Sequence, residues 1–494
     1  MLQTEFWEHA ILFSVTAMAF VVFILFAVMF TQDLTQKTHA IRHNFPLIGR
    51  LRYQLENLGK YFRQYLIAQD REELPFNRAT RNWVYRTAKG GSGSIGFGST
   101  NDLREQGSIL FVNASYPLLE EELTKVPPFV IGTQCQQPFE AANIFNISGM
   151  SYGALSKASV RALAQGAKET GIWMNTGEGG LSPHHQNAGC DLIFQIGTAK
   201  YGVRDEQGNL SDEKLYEISK HVKAFEIKLS QGAKPGQGGE LPAAKITEEI
   251  SRIRGIPLGQ LSKSPNRQKE IRNANDLLDM INRIRDVTGR PVGIKAAIGS
   301  THFLEDMCET ILHRGVDCAP DFITVDGSEG GSGSAPQLLA DHVALPISEA
   351  LPIAVDTLMA CGLKERICVI ASGKLVQSAK VAWALCVGAD FVVSARGFMF
   401  SLGCVQSLQC HMGTCPTGVT THNPWRQKGL VVEDKAKRVA QYAYRVNHEI
   451  NVLAHSCGLT NARHFQRKHI RIVQQAGKSV PLNELHPYHT TKHY

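Results

Sequence analysis

From about residue 140 onward, short apolar runs recur along the chain, most of them followed by a helical stretch. This alternation restricts the possible folds more than any other feature. The runs are Ile144–Ile147, Ile172–Asn175, Leu192–Ile196, Phe225–Leu229, Val292–Ala296, Phe322–Val325, Ile367–Ala371 and Phe391–Ser394. Their length and composition are those of strands. Helical patterns fall at Ser156–Thr170, with Ser156 as N-cap, and at Asn275–Val287, Phe303–Arg314, Ile347–Cys361 and Val376–Val387. Eight strands alternating with helices over about 250 residues predict an α/β protein, a (β/α)8 TIM barrel. An open doubly wound sheet is the alternative. Two connections are irregular: the second to third is too short for a full helix, and the fourth to fifth must hold an extended loop.

In such a barrel, chemistry gathers at the C-terminal ends of the strands. Read in order, those ends are polar. The first carries Ser148-Gly149-Met150-Ser151-Tyr152-Gly153, and the second Asn175-Thr176-Gly177-Glu178. The third carries Gln195, the fourth Lys228 and Gln231, and the fifth Lys295. The sixth runs Asp326 to Gly333 through Gly330 and Gly331; the last two end in Ser372-Gly373-Lys374 and Arg396-Gly397. Glycines let a planar ligand or a phosphate approach the backbone, and barrels commonly hold phosphate after strands seven and eight. Lys295 in an apolar strand suits electrostatic stabilisation of a reduced flavin; a lysine paired with a carboxylate inside the barrel mouth is the bland alternative. Glu178 reads as a proton-transfer group, a substrate anchor or a turn-stabilising carboxylate. The glycine-rich loop Gln231–Pro242, with Lys234, reads as a lid or anion-binding loop, against a flexible surface loop. His184 and His185 read as solvated.

Cys404, Cys410 and Cys415 lie in a C-x5-C-x4-C run closed by Pro416. Three thiolates so clustered reach one inorganic core, and iron–sulfur clusters are held by such thiolates. Three ordinary buried cysteines are the alternative. The other eight cysteines are scattered, and an odd total of eleven fits a reducing compartment rather than a disulfide scaffold.

Ala10–Phe30 is uncharged and almost wholly apolar, long enough as a helix to cross a bilayer core. Acidic Glu5 and Glu8 precede it and Thr31-Gln32-Asp33 follows, which argues against a cleaved signal peptide. Lys37, Arg42, Arg50 and Arg52 follow the span, so the remainder of the chain is expected on the cytoplasmic side of a single-pass anchor. Leu51–Asp70 reads as a basic amphipathic helix, near the membrane surface or simply solvated. The net charge of +7 would suit an acidic partner or an anionic membrane. No basic run interleaves with aromatics and no zinc finger is present, so nucleic acid is not implied. A formal G-x-G-x-x-G match at Gly91–Gly96 lacks a following helix and reads as a loop. Val432 onward reads as a helix with Val439, Tyr442, Val446, Ile450 and Leu453 on one face and Gly458 as its stop. The expected organisation is an anchor at 1–31, a preface at 32–139, the barrel at 140–425 with the cysteine loop at 404–415, and a helical extension at 426–494.

The stretches SGMSYGALS (148–156), NTGEGG (175–180), EIKLSQGAKPGQGGELP (226–242), DGSEGGSGSAP (326–336) and GCVQSLQCHMGTCPTGV (403–419) together resemble the synthase domain of glutamate synthases, over roughly residues 140–425. The resemblance implies an FMN-containing barrel with a [3Fe–4S] cluster on Cys404, Cys410 and Cys415. It implies reductive amination of 2-oxoglutarate to glutamate through 2-iminoglutarate, with electrons passing from cluster to FMN. By motif position, Lys295, Gly373 and Arg396 would fall to FMN, with Gln195 and Lys228 near its ring. Met150, Ser151, Asn175, Gly330, Gly331, Ser372, Lys374 and Gly397 complete the expected cofactor set. Glu178, Lys228 and Lys234 would be the catalytic residues, near the substrate and the ammonia path.

The chain departs from the large synthases. It shows nothing resembling their glutaminase domain or their C-terminal β-helix, and Ser262-Lys-Ser-Pro-Asn-Arg267 replaces their proline- and histidine-rich stretch. It looks more like the short, stand-alone synthase-like proteins. Ammonia is then expected from solution or a separate glutaminase, and electrons from ferredoxin or another donor, since no nicotinamide site is visible. Other readings are an oxidoreductase acting on an N-substituted glutamate, and a membrane electron-transfer or redox-sensing protein without turnover.

Overall fold

The computed structural model describes residues 2–94 and 96–488. Two compact units make up the chain, residues 1–79 and 80–494. Among the described residues the first holds α1 (Leu2–Thr35), α2 (Ala40–Asn44) and α3 (Ile48–Phe62), with a π-helical turn at Arg63–Ile67 after α3. Within Phe6–Thr35 of α1 an 18-residue window has a mean hydropathy of 2.8, and the stretch is long and apolar enough to cross a bilayer. Its large apolar side chains are exposed. At its end the carboxylate of Asp33 is fully buried. It accepts hydrogen bonds from Arg42 (2.7 and 2.9 Å), from Arg50 Nε (2.7 Å) and from the Leu47 amide (3.0 Å). A buried carboxylate demands such partners, and meeting that demand folds α2 and the start of α3 back onto the end of α1.

In the second unit, eight parallel strands close into a barrel. They are β1 (Phe145–Ile147), β2 (Met174–Asn175), β3 (Leu192–Ile196), β4 (Ala224–Lys228), β5 (Val292–Ala296), β6 (Phe322–Asp326), β7 (Cys368–Ser372) and β8 (Phe391–Ser394). Neighbours in sequence are neighbours in space, and β8 pairs with β1 through Val392–Phe145 and Ser394–Ile147. The expected strands agree to within a residue or two, and closure excludes the open sheet. Helices α4 (Lys157–Thr170), α5 (Ala274–Thr288), α6 (His302–Arg314), α7 (Ile347–Ala360) and α8 (Ser378–Val387) follow β1, β4, β5, β6 and β7. Ser156 caps α4 by accepting from the Ser159 amide at 3.2 Å. The short connection from β2 to β3 holds only Pro183–Gln186 as a helical turn. The long one from β4 to β5 holds a small hairpin, Glu240–Leu241 against Ser262–Lys263, before α5.

The base of the barrel is closed by a second hairpin, Phe129–Ile131 paired with Phe139–Ala141. Ile131 and Phe139 pack with Trp173, Phe322 and Phe391 into one buried cluster. Apolar plugging at this end leaves the polar strand ends at the other as the accessible face. The preface and the tail also meet. Ile109–Phe111 pairs antiparallel with Ile470–Val473, so residues far apart in sequence share one small sheet. Helix α9 (Val432–Ser456) buries Val439, Tyr442, Val446 and Ile450, while Leu453 is only part-buried and Ala454 completes the face. Gly91–Gly96 forms no helix among its described residues; Ile95 lies outside them, as do the last six residues of the tail.

Candidate active site

The mouth of the barrel carries a polar cleft where β7 and β8 end. Its lining includes Ser148, Gly149, Gln231, Lys295, Asp326, Gly330, Gly331, Ser372, Gly373, Lys374, Ser394 and Arg396. Lys295, Lys374 and Arg396 line this cleft with Asp326, and Glu329 acts on Lys374 and Arg396 from beside it; a lining this rich in cations suits a phosphate. Burial pulls the Arg396 guanidinium down to about 10, against the pull of Asp326 and Glu329. Burial likewise lowers Lys374, and the nearby charges of Lys380 and Arg396 lower it further. Cations held this close to one another are relieved by an anion placed among them. Gly373 takes φ +141°, and Lys374 after it φ +54°, so the chain turns sharply at the cleft wall; only glycine takes the first of these without strain.

Inside the mouth, Asp326 organises the wall. It accepts from Ser372 Oγ at 2.6 Å and from the Gly232 amide at 2.9 Å, and Lys295 Nζ stands 3.6 Å away. Lys295 therefore combines both expectations: it has a carboxylate partner and it lines the cleft. The Gly232 contact ties the glycine-rich loop across the mouth, as does Gln231 Nε2 donating to the Gly331 carbonyl at 2.6 Å. Gly232, Ala233 and Lys234 of that loop are buried, and these two ties hold it to the opposite wall, so it is not a free surface loop.

Lys228, at the end of β4, donates to Gln231 Oε1 at 2.9 Å and pairs with Glu178 Oε1 at 3.0 Å. Burial pushes the Glu178 carboxyl up, but Lys228, Lys234 and Arg254 together outweigh it and hold the group below the usual carboxylate range. Lys234 is 5% exposed, and burial lowers its ammonium against the pull of Glu178. The loop reaches Glu178 so closely that a Cβ at Gly239 would lie 2.6 Å from Oε1. Chain brought this near a carboxylate has to be glycine. Glu178, Lys228 and Lys234 thus form one group, a carboxylate between two ammonium ions.

The cysteine loop follows β8 at the same end of the barrel. Tyr85 Oη donates to the Cys404 carbonyl at 2.5 Å. Lys245, 4% exposed, donates to the Cys410 carbonyl at 2.6 Å and to Ala154 O at 3.4 Å, joining the cysteine loop to the loop after β1. The three thiols sense one another. Burial raises Cys404 to about 12, and the charges of Cys410 and Cys415 add to the rise. Burial raises Cys410 too. At Cys415 burial acts upward, but hydrogen bonds from Thr417 and Thr420 outweigh it and the thiol lies below its usual value. Among the described residues no three His, Cys, Asp or Glu side chains gather tightly enough to grip a single metal ion. The three cysteines, with Lys245 acting on Cys410 and Cys415 and Arg81 on Cys404, are the residues that would hold an iron–sulfur cluster.

A family model for the conserved region in glutamate synthase matches residues 98–460. The chain belongs to the glutamate synthase family. It is 40% identical to the glutamate synthase large subunit-like protein YerD of Bacillus subtilis (strain 168), over 94% of this chain and 95% of that one. It is 33% identical to the archaeal glutamate synthase [NADPH] of Methanocaldococcus jannaschii, over 75% of this chain and 69% of that one. Against the archaeal-type glutamate synthase [NADPH] of Thermotoga sp. (strain RQ2) it is also 33% identical, and there it spans only 59% of the relative's length. Among solved structures, the flavin-binding domain of baker's yeast flavocytochrome b2 is similar at 15% identity and a TM-score of 0.45, over 84% of this chain and 86% of that one.

Within this family member, the expected cofactor residues divide. Lys295, Gly330, Gly331, Ser372, Gly373, Lys374 and Arg396 line the cleft. Met150, Ser151, Asn175, Gln195 and Gly397 do not. Gly397 faces α9, where a Cβ would lie 2.2 Å from Tyr442 Oη. Asn175 and Gln195 point into the barrel instead and donate to Glu226 Oε1 at 2.8 and 2.7 Å; Thr324 donates to Oε2 at 2.6 Å. Glu226 is this layer's centre, and sequence reasoning passed over it. The available signal was its place two residues before Lys228, on the same face of one strand. His185 is not solvated, contrary to the expectation from sequence. It is fully buried, with Nδ1 2.8 Å from Ser182 Oγ and Nε2 3.2 Å from the Met150 carbonyl, so it holds the loop after β1 rather than facing solvent. His184 is part-buried and pairs with Glu249 at 3.1 Å.

Proposed function

We propose that this chain is an FMN- and iron–sulfur-dependent oxidoreductase that reductively aminates 2-oxoglutarate to L-glutamate through 2-iminoglutarate. The observation that carries the reading is the Lys228–Glu178 pair, with Lys234 beside it, at the same barrel mouth as a cation-rich, phosphate-sized cleft. Reduced FMN would supply the hydride, and a [3Fe–4S] cluster on Cys404, Cys410 and Cys415 the electrons that reduce it. Lys374 and Arg396 would hold the FMN phosphate. Lys295 would balance negative charge near the flavin ring, with Asp326 fixing its position.

Lys228 and Lys234 suit the two carboxylates of 2-oxoglutarate and the polarisation of its carbonyl or imine. Glu178, kept ionised between the two lysines, suits the task of accepting protons from ammonium as the carbon–nitrogen bond forms. Gln231 and Gly232, tied to the opposite wall, would cover the reacting carbon from water. Ammonia would come from solution or from a separate glutaminase, and electrons from ferredoxin or a similar donor. Helix α1 would anchor the protein in a membrane, with residues 36–494 on the cytoplasmic side.

The test is an anaerobic absorbance and electron paramagnetic resonance spectrum of the detergent-purified chain. The dithionite-reduced form is then given 2-oxoglutarate, ammonium, or both. Flavin and cluster signals, with flavin reoxidised only when both substrates are present, are expected. Both cofactors without reoxidation would refute this substrate pair, and absence of both would refute the cofactor assignment.

A further inference from the structure

Helix α3 carries an apolar stripe that nothing in its own unit covers. Ile48, Leu51, Leu55, Leu58 and Phe62 are 72%, 55%, 62%, 50% and 49% exposed. At about 100° per residue they fall within an arc of about 80° on one face. Arg52, paired with Glu56 at 3.4 Å, and Arg63 sit next to one edge of that arc, where a long basic side chain can lay its stem on apolar surface and raise its charge out of it. Asn57 and Gln54, on the other sides, are exposed and polar.

The position of this stripe is fixed relative to α1. Arg50, in the first turn of α3, donates from Nε to buried Asp33 and from Nη2 to the Met29 carbonyl at 3.0 Å. Met29 belongs to the apolar span itself. The Leu47 amide closes the same junction on Asp33. A helix of 15 residues, about 22 Å long, therefore begins at the depth where the span ends. An apolar stripe bordered by cations at that depth has the chemistry of an interfacial helix on anionic lipid.

We propose that α3 lies on the surface of an anionic bilayer with its stripe sunk among the acyl chains, as a second membrane contact of the protein. The proposal rests on the reading of α1 as a membrane anchor. A span alone leaves the following chain free to pivot; a clamped interfacial helix fixes its orientation at the membrane.

Photocrosslinking of the full chain in nanodiscs tests this. The probe is p-benzoylphenylalanine placed singly at Phe20, Leu55 or Asn57, all exposed positions. The discs contain phosphatidylcholine with phosphatidylglycerol, and adducts are read by mass spectrometry. Lipid adducts are expected at Phe20 and at Leu55, several-fold above Asn57, with the Leu55 yield falling when phosphatidylglycerol is left out. Adducts at Phe20 with none at Leu55, or with equal yields at Leu55 and Asn57, overturn the interfacial helix and leave the anchor standing. A cross-link from Leu55 to a second copy of the chain also overturns it. No lipid adduct at Phe20 removes the anchor, and the inference with it.

Discussion

Lys228 Nζ stands 3.0 Å from Glu178 Oε1, and the two side chains come from different strand ends of one barrel mouth. Both are largely withdrawn from water, 11% and 18% exposed, so the pair is screened little. Replacing one partner leaves the other's charge poorly compensated, whereas replacing both removes the problem. Lys228→Met and Glu178→Gln are each expected to destabilise the fold. In a double-mutant cycle by urea unfolding they should show a coupling of about 1–3 kcal/mol. Under the proposed reaction, either single change should also slow turnover of 2-oxoglutarate with ammonium by roughly 100-fold or more. Additive stability effects would dissolve the pair as a unit.

Glu226 accepts three buried donors, from Asn175, Gln195 and Thr324. Glu226→Leu strands all three and is expected to cost about 3–5 kcal/mol. Glu226→Gln keeps an acceptor for two of them, and the Thr324 hydroxyl can rotate to accept from the new amide, so about 1 kcal/mol is expected. Thermal unfolding of the two variants separates these values. Equal losses would remove Glu226 as the organising acceptor.

The cation-rich wall at Lys374 and Arg396 predicts selectivity for a phosphorylated flavin. Arg396→Ala should weaken FMN binding by about 10–100-fold, the worth of one or two charge-assisted hydrogen bonds, and leave riboflavin binding nearly unchanged. Fluorescence titration of the flavin-stripped protein with both ligands measures the ratio. An equal loss for the two would move the phosphate elsewhere.

Lys245 brings a positive charge and a physical bridge between the Cys410 and Ala154 carbonyls. A cation beside a cluster favours its more negative, reduced form. With the proposed cluster in place, Lys245→Met is expected to lower its potential by about 60 mV, equivalent to about 1.4 kcal/mol for one electron. Lys245→Arg should restore most of the shift. Redox titration followed by electron paramagnetic resonance reads both, and an unchanged potential in Lys245→Met would count against the assignment.

His185 supplies a pH dependence of stability. Burial lowers its pKa to about 4 in the folded state, from an ordinary 6.5. A depressed histidine binds its proton less readily when folded than when unfolded. Its contribution is therefore fully present above about pH 6.5 and is lost as pH falls toward 4, at up to about 3 kcal/mol. His185→Gln should flatten the unfolding free energy across that window. Parallel curves for the parent and the variant would refute the assignment.

The barrel was legible in the sequence because each strand is a short apolar run set off by turns, a local signal. Closure fixed the rest, since β8 pairs with β1 across about 250 residues of chain. Glu178 and Lys228 were legible as polar residues at strand ends and Lys234 as the lysine of a glycine-rich loop, and the cleft residues Lys295, Gly373, Lys374 and Arg396 also stand at strand ends. Gly397, one residue beyond Arg396, was not: its turn of helix rotates it toward Tyr442. Asn175 ends its strand and Gln195 lies one residue short of the end of its own, but both lean inward to Glu226. Strand-end position fixes the end of the barrel a residue occupies; side-chain direction there depends on which buried partner needs a hydrogen bond.

The sequence by itself determined the strand and helix order, the family motifs, the apolar span and the run of three cysteines. These are carried by composition and spacing along the chain. Tertiary structure alone decided that Glu226 is the centre of a buried network, that His185 holds the Met150 carbonyl, and that Lys245 bridges two loops. It also decided that Asp33 folds α3 back to the end of the span. Each of these is a buried polar group satisfied by partners from elsewhere in the chain. Such partners are fixed by proximity in space, which the linear order of residues does not encode.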